Sequence, residues 1–555
     1  MNKLHFTSSC FVVAFFLLVV ASCSSEKKQD SRLGEIQLEV SGAAEAQPHF
    51  KRGLLLLHSF EYADAAEAFI QAQEIDSDFA MAYWGEAMTY NHSLWRLQDQ
   101  EKGKAALEKL GATASERVDK AATDLEKDFL QAVEILYGEG TKTERDHAYA
   151  AYMQTLHQQY PENHEVAAFY ALSLLGSVPV GRDDEVYEKG AVIAKSIIAE
   201  NPNHPGALHY LIHSYDDPMH ASLALHAADS YSKVAPDAAH ALHMPSHIYV
   251  AMGMWDEVVA SNEVSWQASV DRMKRKNLDY SAQSYHAFHW LMYGYLQQGR
   301  YAKARQIMDD MVRYTEAVPT KGARAYLISM KGTYLIETND WDSPVADIEV
   351  DRDDLNISLR AIYFYIEGVK VYHTKDVEKL QEVIHTMEDE RLQKTVLVNE
   401  KGVAVCSGAG WTSEIPNQLD IDQAYVMELQ LKGLLAGLNG DTKAAETWLK
   451  EATLLEENIS YAYGPPPIVK PSHELYGEWL LQANRPEEAE VQFDKALDRG
   501  PNRVLSLRGK KEVGTHLGND VMTREVEELI QEIMKQADEK VTAEMEAASP
   551  TLLFF

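Results

Sequence analysis

Small and aromatic residues recur along this chain with the spacing of packed helices and not with the alternation of strands. In residues 60–72 and again in residues 485–501, an alanine is followed by an aromatic residue four positions later and by another alanine three positions after that. This spacing puts all three side chains on one face of a helix. Small residues let two helices approach closely, and the aromatic ring fills the space between neighbouring pairs. The pattern predicts helical hairpins stacked in series.

The same pattern is similar to the second helix of a tetratricopeptide repeat, a unit of about 34 residues. Gly440 with Ala445, Gly299 with Ala304, and Gly253 fit the same frame. The sequence therefore predicts an all-α tetratricopeptide-repeat (TPR) solenoid.

Several segments interrupt the repeat and divide the chain. Residues 97–138 are charged and helical in pattern, which indicates an insertion, and the prolines in residues 463–471 predict an extended connection. The predicted organisation is a signal peptide (1–22), a lipidated tether (23–45), an N-terminal TPR array with a His-rich groove (46–335), an acidic loop (336–356), a C-terminal TPR array (357–515), and a terminal helix and tail (516–555).

The N-terminus has the features of a lipoprotein signal. An apolar run from Phe11 to Val20 is too short to span a bilayer, and it ends in small residues before Cys23. This resembles the lipobox of bacterial lipoproteins, which implies cleavage before Cys23 and attachment of fatty acyl chains such as palmitate to it. By the same resemblance, Ser24 implies the outer membrane. Each buried methylene would add about 0.8 kcal/mol of membrane affinity.

Charge and cysteine content narrow the function classes. The chain carries 52 Lys and Arg against 85 Asp and Glu, a formal net charge of −33, which would repel nucleic acid. Of its three cysteines, Cys10 lies in the signal and Cys23 would carry lipid, so Cys406 alone remains. The mature chain can therefore form neither an internal disulfide nor a thiolate metal site. Cys406 lies in a predicted loop and has no placed base that would make it a nucleophile.

Histidines concentrate in one part of the predicted N-terminal array. Ten of the 21 lie between His204 and His289. Aligning the repeats puts seven of them, together with one tyrosine, on groove-facing positions of three successive first helices: His209 and His213, then His240, His243 and His247, then His286, His289 and Tyr293. We expect these side chains to share one face.

Two interpretations of this face stay open. Imidazoles one turn apart can share an ion, so His209, His213, His243 and His247 form a candidate site for Zn, Cu or Fe, with Asp216 as a further ligand or an orienting group. Alternatively, the histidines donate hydrogen bonds to a bound peptide or pack between repeats. Pro245 complicates both, because a helix starting there would leave the directions of His240 and His243 undetermined.

Four runs resemble a group of bacterial secreted or lipid-anchored TPR proteins: Asn203–His213, His240–Tyr249 with HMPSHIY, Lys470–Trp479 with KPSHELYGEW, and Phe79–His92. The resemblance covers about residues 46–515 and implies the fold, but the family has no assigned activity and brings no catalytic roles. It also implies that the Pro-Ser-His-Glu run matters, and our register places Glu474 and Glu478 on groove positions of a late repeat.

The sequence thus predicts a lipid-anchored cell-envelope protein that binds a ligand or a partner protein in a His-rich groove. The alternative is a metalloprotein or metal-dependent enzyme using the same groove, and enzymatic activity stays open. Glycine-rich phosphate loops, nucleophile turns of the Gly-x-Ser-x-Gly type and His-Glu-x-x-His are absent from the sequence.

Overall fold

A computed structural model describes residues 32–399, 401–403 and 413–542. Its regular structure is helical apart from one short antiparallel hairpin, β1 (Asn91–His92) with β2 (Leu97–Gln98). The predicted all-α TPR solenoid is confirmed. None of the helices in the described part of the chain combines the length and apolarity needed to cross a membrane.

Consecutive helices pack as antiparallel hairpins along most of the chain. The helices up to residue 338 are α1 (Gln47–His58), α2 (Tyr62–Ile75), α3 (Ala80–Met88), α4 (Gln100–Glu108), α5 (Ala114–Asp119), α6 (Asp124–Leu136), α7 (Lys142–Gln159), α8 (His164–Ser177), α9 (Asp184–Glu200), α10 (Pro205–Ser214), α11 (Leu225–Val234), α12 (Ala239–His243), α13 (Pro245–Ala251), α14 (Trp255–Lys276), α15 (Tyr285–Gln297), α16 (Tyr301–Ala317) and α17 (Lys321–Thr338).

The second half continues in the same way. Its helices are α18 (Ile357–His373), α19 (Val377–Thr395), α20 (Gln418–Leu438), α21 (Thr442–Glu457), α22 (Ser472–Gln482), α23 (Pro486–Arg499), α24 (Val504–Leu517) and α25 (Asp520–Ile533). Single 3₁₀ turns lie at Ser93–Trp95, Ala221–Leu223, Tyr280–Ala282 and Pro344–Asp347.

Aromatic side chains of the second helices seat against glycines of the flanking first helices. Phe69 in α2 lies between Gly53 of α1 and Gly85 of α3, where an added Cβ would come within 2.8 and 2.3 Å of its ring. Phe493 in α23 lies in the same way between a glycine of α22 and a glycine of α24. The two ends of the solenoid therefore share one packing unit, because only glycine admits this approach.

Buried apolar side chains form two large clusters that meet across α14 and α15. Val258 belongs to the first cluster and Val259 to the second, while Trp290 and Leu291 divide in the same way. The boundary between the two apolar clusters thus lies before residues 336–356, where the sequence places the boundary between the two arrays.

A connecting segment between two helices covers the histidines on the side that the sequence predicts to be an open groove. Residues 458–471, which connect α21 to α22, bring the ring of Tyr463 to 4.6 Å from that of His247, and an added Cβ on Gly464 would lie 2.3 Å from Trp290. At the start of α24, the Asn502 carbonyl accepts a hydrogen bond of 2.9 Å from Trp255 Nε1. The histidines consequently face a filled interior, whereas the sequence predicts an open groove.

Residues 32–45 also differ from the predicted tether. Leu33 is buried, the Glu35 N–H donates to the Asn203 carbonyl at 2.9 Å, and Asn201 Nδ2 donates to the Glu35 carbonyl at 3.0 Å. Apolar residues at Ile36, Leu38 and Val40 anchor this stretch on the first core. The signal peptide, Cys23, Cys406 and residues 543–555 of the predicted tail lie outside the described residues.

Candidate functional site

The histidines reach one interior region from three first helices. Helix α10 carries His209 and His213 one turn apart, α12 and α13 carry His240, His243 and His247, and α15 carries His286. Pro245 is the first residue of α13, but Met244 keeps helical backbone angles and its carbonyl accepts from the His247 N–H at 3.1 Å. The helical run therefore continues through the proline, which preserves the predicted one-turn spacing.

His209, His213 and His240 form what we term the first cluster. Each offers a ring nitrogen to a set lying within 4.8 Å. His209 Nδ1 lies 2.7 Å from the His58 carbonyl oxygen and His213 Nδ1 lies 3.1 Å from Asp216 Oδ2. Both partners only accept hydrogen bonds, so both Nδ1 atoms carry the proton and both Nε2 atoms expose a lone pair. All three Nε2 atoms are buried without a hydrogen-bond partner among the described residues.

His243, His247 and His286 form the second cluster, again with ring nitrogens within 4.8 Å of one another. The ligand set predicted from sequence, two histidines from each helix, is thus divided between two clusters. His240 and His286 complete them, and both are partly exposed whereas the other four are buried.

Asp216 connects the two clusters. Its Oδ2 lies 3.1 Å from His213 Nδ1 and 3.1 Å from His247 Nδ1, and its Oδ1 accepts a hydrogen bond of 3.0 Å from Arg182 Nη1. One carboxylate therefore orients an imidazole in each cluster, and the guanidinium balances its charge. Of the two roles that the sequence leaves open for Asp216, this geometry fits the orienting group.

The ring of Phe60 forms one side of the first cluster, and the backbone of Phe60 is strained. Its φ of 54° is in the left-handed region, which bulky side chains rarely adopt. The turns after α13 and α15 place Gly253 and Gly299 in this conformation. The Phe60 ring lies 4.2 Å from that of His209 and 5.6 Å from that of His240, so a strained position costing about 1–3 kcal/mol presents an aromatic surface to the cluster.

Burial lowers the pKa of five of these imidazoles and keeps them neutral. It lowers the pKa of His209, His240, His247 and His286 well below the ordinary value of 6.5, and neighbouring histidines lower it further. Burial also lowers the pKa of His243 to about 4. Neutral imidazole is the form that ligates metals.

A third group, His58, Glu165 and His204, was not found from the sequence. Glu165 Oε2 lies 2.6 Å from His58 Nε2 and its Oε1 lies 3.2 Å from His204 Nε2, while His58 Nδ1 lies 2.9 Å from the Tyr210 hydroxyl. This fully buried arrangement fixes the segment whose His58 carbonyl holds His209, and its three ligand atoms also lie within 4.8 Å of one another, as in the two histidine clusters. Glu165 is the second residue of α8, two positions after the N-cap Asn163, and looks in the sequence like an ordinary first-turn acid.

The remaining predicted residues lie apart from both clusters. His289 Nε2 is 3.0 Å from Thr333 Oγ1, and Tyr293 accepts a hydrogen bond of 3.0 Å from Arg503. Glu474 and Glu478 pair with Lys470, and Glu474 also pairs with Arg503.

A cavity of about 180 Å³ borders the clusters. His213, Asp216, Arg182, Arg96 and Tyr463 contribute to its walls. It offers space for a small molecule next to a histidine of the first cluster, with two guanidinium groups in its lining.

Comparisons with known proteins give only distant similarity. No known family model matches the chain, and no curated protein sequence matches it. Among solved structures, the chain is similar to the APC/C hetero-tetramer Cut9–Hcn1 (11% identity, 92% of this chain and 78% of that one, TM-score 0.36), to yeast Tom70 (12%, 91% and 99%, 0.31) and to a human IFIT1 dimer with PPP-AAAA (13%, 90% and 96%, 0.35). At these identities and TM-scores the similarity says nothing about what this chain binds.

Proposed function

We propose that this helical-repeat protein is a metalloprotein that binds a divalent transition metal ion through Nε2 of His209, His213 and His240. The observation that carries the proposal is the set of three buried Nε2 atoms without hydrogen-bond partners among the described residues. Leaving a buried acceptor unpaired costs about 1–3 kcal/mol each, and one ion would satisfy all three.

The surroundings of the cluster support a metal over a structural role. Metal-ligating histidines usually donate their other ring N–H to a carbonyl or a carboxylate, which fixes the tautomer. His209 has this arrangement with the His58 carbonyl and His213 has it with Asp216. The deformed backbone of Phe60 gives the cluster an aromatic wall.

The ligand set narrows the metal and its chemistry. Imidazole ligands suit Zn, Cu and Fe, whereas Mg and Ca favour carboxylate and carbonyl oxygens, and the cluster consists of three histidines. Three protein ligands leave a fourth position for water or a small molecule, as in catalytic zinc sites. The neighbouring cavity would give such a molecule access to the ion. The ligand set alone does not specify a reaction.

Protein binding is the second candidate function, and the repeat architecture favours it because solenoids present extended surfaces to partners. The binding surface for a partner protein would differ from the predicted groove, because residues 458–471 cover the histidines there. A partner would therefore bind another face of the solenoid.

We further propose that Cys23 carries lipid and anchors the protein in the outer membrane. The support is the resemblance of Val20–Cys23 to a lipobox. Cys23→Ser should yield uncleaved or soluble protein in place of a lipoprotein in the membrane fraction, as measured by fractionation and by the mass of the N-terminal peptide. Normal processing of that variant would refute the anchor.

Metal analysis of full-length protein purified without a histidine tag tests the metal site. We expect the chelator-treated protein to take up Zn(II), Cu(II) or Fe(II) at neutral pH. His209→Asn and His213→Asn should each weaken the affinity of this site by about 100-fold or more, because asparagine can keep the donor at the Nδ1 position and lacks Nε2.

His289→Gln is the matched control, since it changes a buried histidine of the same array that lies outside both clusters. Its uptake should equal that of the wild type. Failure of the wild type to bind any of the three ions would refute the proposed function.

A further inference from the structure

We infer that the second cluster, His243, His247 and His286, holds a metal ion of its own, so that the protein contains two neighbouring metal sites. The observation is the 3.1 Å separation between Nε2 of His243 and Nε2 of His247. The inference rests on the proposed function for its chemistry, but it is carried by a different set of atoms.

The tautomer of His243 follows from Asn262. Asn262 Nδ2 donates to the Val258 carbonyl at 2.8 Å, which turns the amide oxygen toward His243. That oxygen lies 2.7 Å from His243 Nδ1 and can only accept. His243 Nδ1 therefore carries the hydrogen, and Nε2 of the neutral ring has a lone pair.

The tautomer of His247 follows from Asp216. Its Nδ1 lies 3.1 Å from Asp216 Oδ2, and this carboxylate is held by Arg182 on its other oxygen. A carboxylate accepts, so His247 Nδ1 donates, and Nε2 of this ring also has a lone pair.

Two lone pairs consequently face each other at 3.1 Å in a buried place. Neither ring has a hydrogen to give, so the contact is repulsive unless a cation lies between the two nitrogens. Two nitrogens on a tetrahedral zinc ion at the usual 2.0–2.1 Å are about 3.3 Å apart, close to the observed separation. A shared proton is the other way to fill this position.

His286 supplies a third nitrogen to the same place. Its ring centroid is 4.4 Å from that of His243, and its Nδ1 lies 3.3 Å from the Tyr326 hydroxyl, which can accept a proton and leave Nε2 for the ion. Its partial exposure gives the ion a route of entry. The second cluster thus has the same three-imidazole composition as the first.

Asp216 makes the two sites a pair. It receives the Nδ1 hydrogen of His213 from the first cluster and of His247 from the second. The sites have separate ligands, so the two ions are neighbours that share one orienting carboxylate.

Zinc stoichiometry of the untagged full-length protein tests the inference. After removal of metal by chelation, titration against a chromophoric chelator should give two tightly bound equivalents per wild-type chain. One equivalent that His209→Asn abolishes would overturn the second site and leave the proposed function standing, and no uptake would overturn both.

Variants assign the equivalents to the clusters. His247→Asn and His243→Asn can each keep the donor at the Nδ1 position and lose Nε2, so each should bind one equivalent, as should His209→Asn through the second cluster. His289→Gln should keep two. If His247→Asn and His243→Asn both retain two equivalents with native helicity, the second site is refuted.

Histidine ¹⁵N resonances distinguish metal from proton. In the zinc-loaded protein, Nε2 of His243 and His247 should shift to the metal-bound range. A resonance for a proton shared between the two rings that persists under excess zinc would overturn the inference.

Discussion

Two buried polar regions of this solenoid, the pair of histidine clusters and a charged cluster, differ in how their polar atoms find hydrogen-bond and ion-pair partners. The histidine clusters lie on α10, α12, α13 and α15. The charged cluster comprises Glu337, Lys470, Glu474, Glu478 and Arg503, from α17, α22 and the residues just before α22 and α24. The repeat register assigns Glu474, Glu478 and the histidines to an open groove, whereas the structure buries both glutamates and four of the six clustered histidines.

The charged cluster pairs with itself. Lys470 Nζ donates to Glu474 at 2.8 Å and to Glu478 at 2.6 Å, and Arg503 donates to Glu474 at 2.9 Å and to Glu337. Burial raises the pKa of Glu478 to about 7, which reduces the excess of carboxylate charge. Most of its groups thus find partners inside the protein.

Within the histidine clusters, the Nε2 atoms do not donate hydrogen bonds to one another. They expose nitrogen lone pairs to one another, and the acceptors around them hold the opposite edges of the rings. A cluster whose charged groups pair with one another stabilises the fold. A cluster that contains several unpaired acceptors is suited to bind a ligand. Substitutions in the two clusters should therefore have opposite consequences.

Lys470→Met should give the largest effect on stability. Removing one partner of a buried pair leaves carboxylates uncompensated, which costs about 3–5 kcal/mol of the free energy of unfolding. Denaturant unfolding of the metal-free protein measures this cost, and zinc stoichiometry should not change. Loss of bound zinc in a folded Lys470→Met protein would break the distinction between the clusters.

Asp216→Asn should act mainly on metal affinity. Removing a carboxylate that orients ligands typically weakens metal binding by about 10–100-fold. Because Asp216 serves a histidine in each cluster, competition titrations should show both equivalents weakened together. Weakened binding of one equivalent alone would contradict the role of Asp216 as a carboxylate shared by the two sites.

The pH dependence of stability should also differ between the histidine clusters and the charged cluster. The unfolded chain protonates histidine at its ordinary pKa of 6.5, while burial lowers the pKa of His243 to about 4. The metal-free protein should therefore lose stability as pH falls from 6.5 to 4, by about 1.4 kcal/mol per unit for this group.

Within the charged cluster, Glu474 responds at lower pH. Burial raises the pKa of Glu474, but Arg503 and Lys470 outweigh it and hold that pKa at about 2, below its ordinary 4.5. Its contribution is present above 4.5 and is lost toward pH 2. His243→Asn should flatten the stability profile between pH 6.5 and 4 only. An unchanged slope there would contradict the assigned protonation states.

The sequence predicts the fold well because repeat packing is local. Alanine, glycine and aromatic residues such as Phe69 and Phe493 meet neighbours one helix away, so their spacing records the contact. Six of the seven histidines that this register places on groove positions reach one region of the structure. The Zn, Cu or Fe site on His209, His213, His243 and His247 stays a prediction, and the structure divides these four histidines between two clusters.

The rest depends on contacts that spacing does not record. The covering of the histidines by Tyr463 comes from a segment more than 200 residues away in sequence, and the pairing of Glu474 depends on Arg503 in another hairpin. Phe60 could have been noticed, since it occupies a turn position that other repeats give to glycine. Which nitrogen of each ring is available depends on hydrogen bonds to groups such as the His58 carbonyl.

Anomalous diffraction at the zinc edge from crystals of the zinc-loaded protein tests the central claim most directly. We predict a peak bonded to Nε2 of His209, His213 and His240 at about 2.0–2.1 Å, with the Nδ1 hydrogen bonds to the His58 carbonyl and Asp216 unchanged. Zinc density found only on surface carboxylates, with these three nitrogens unligated, would contradict the account.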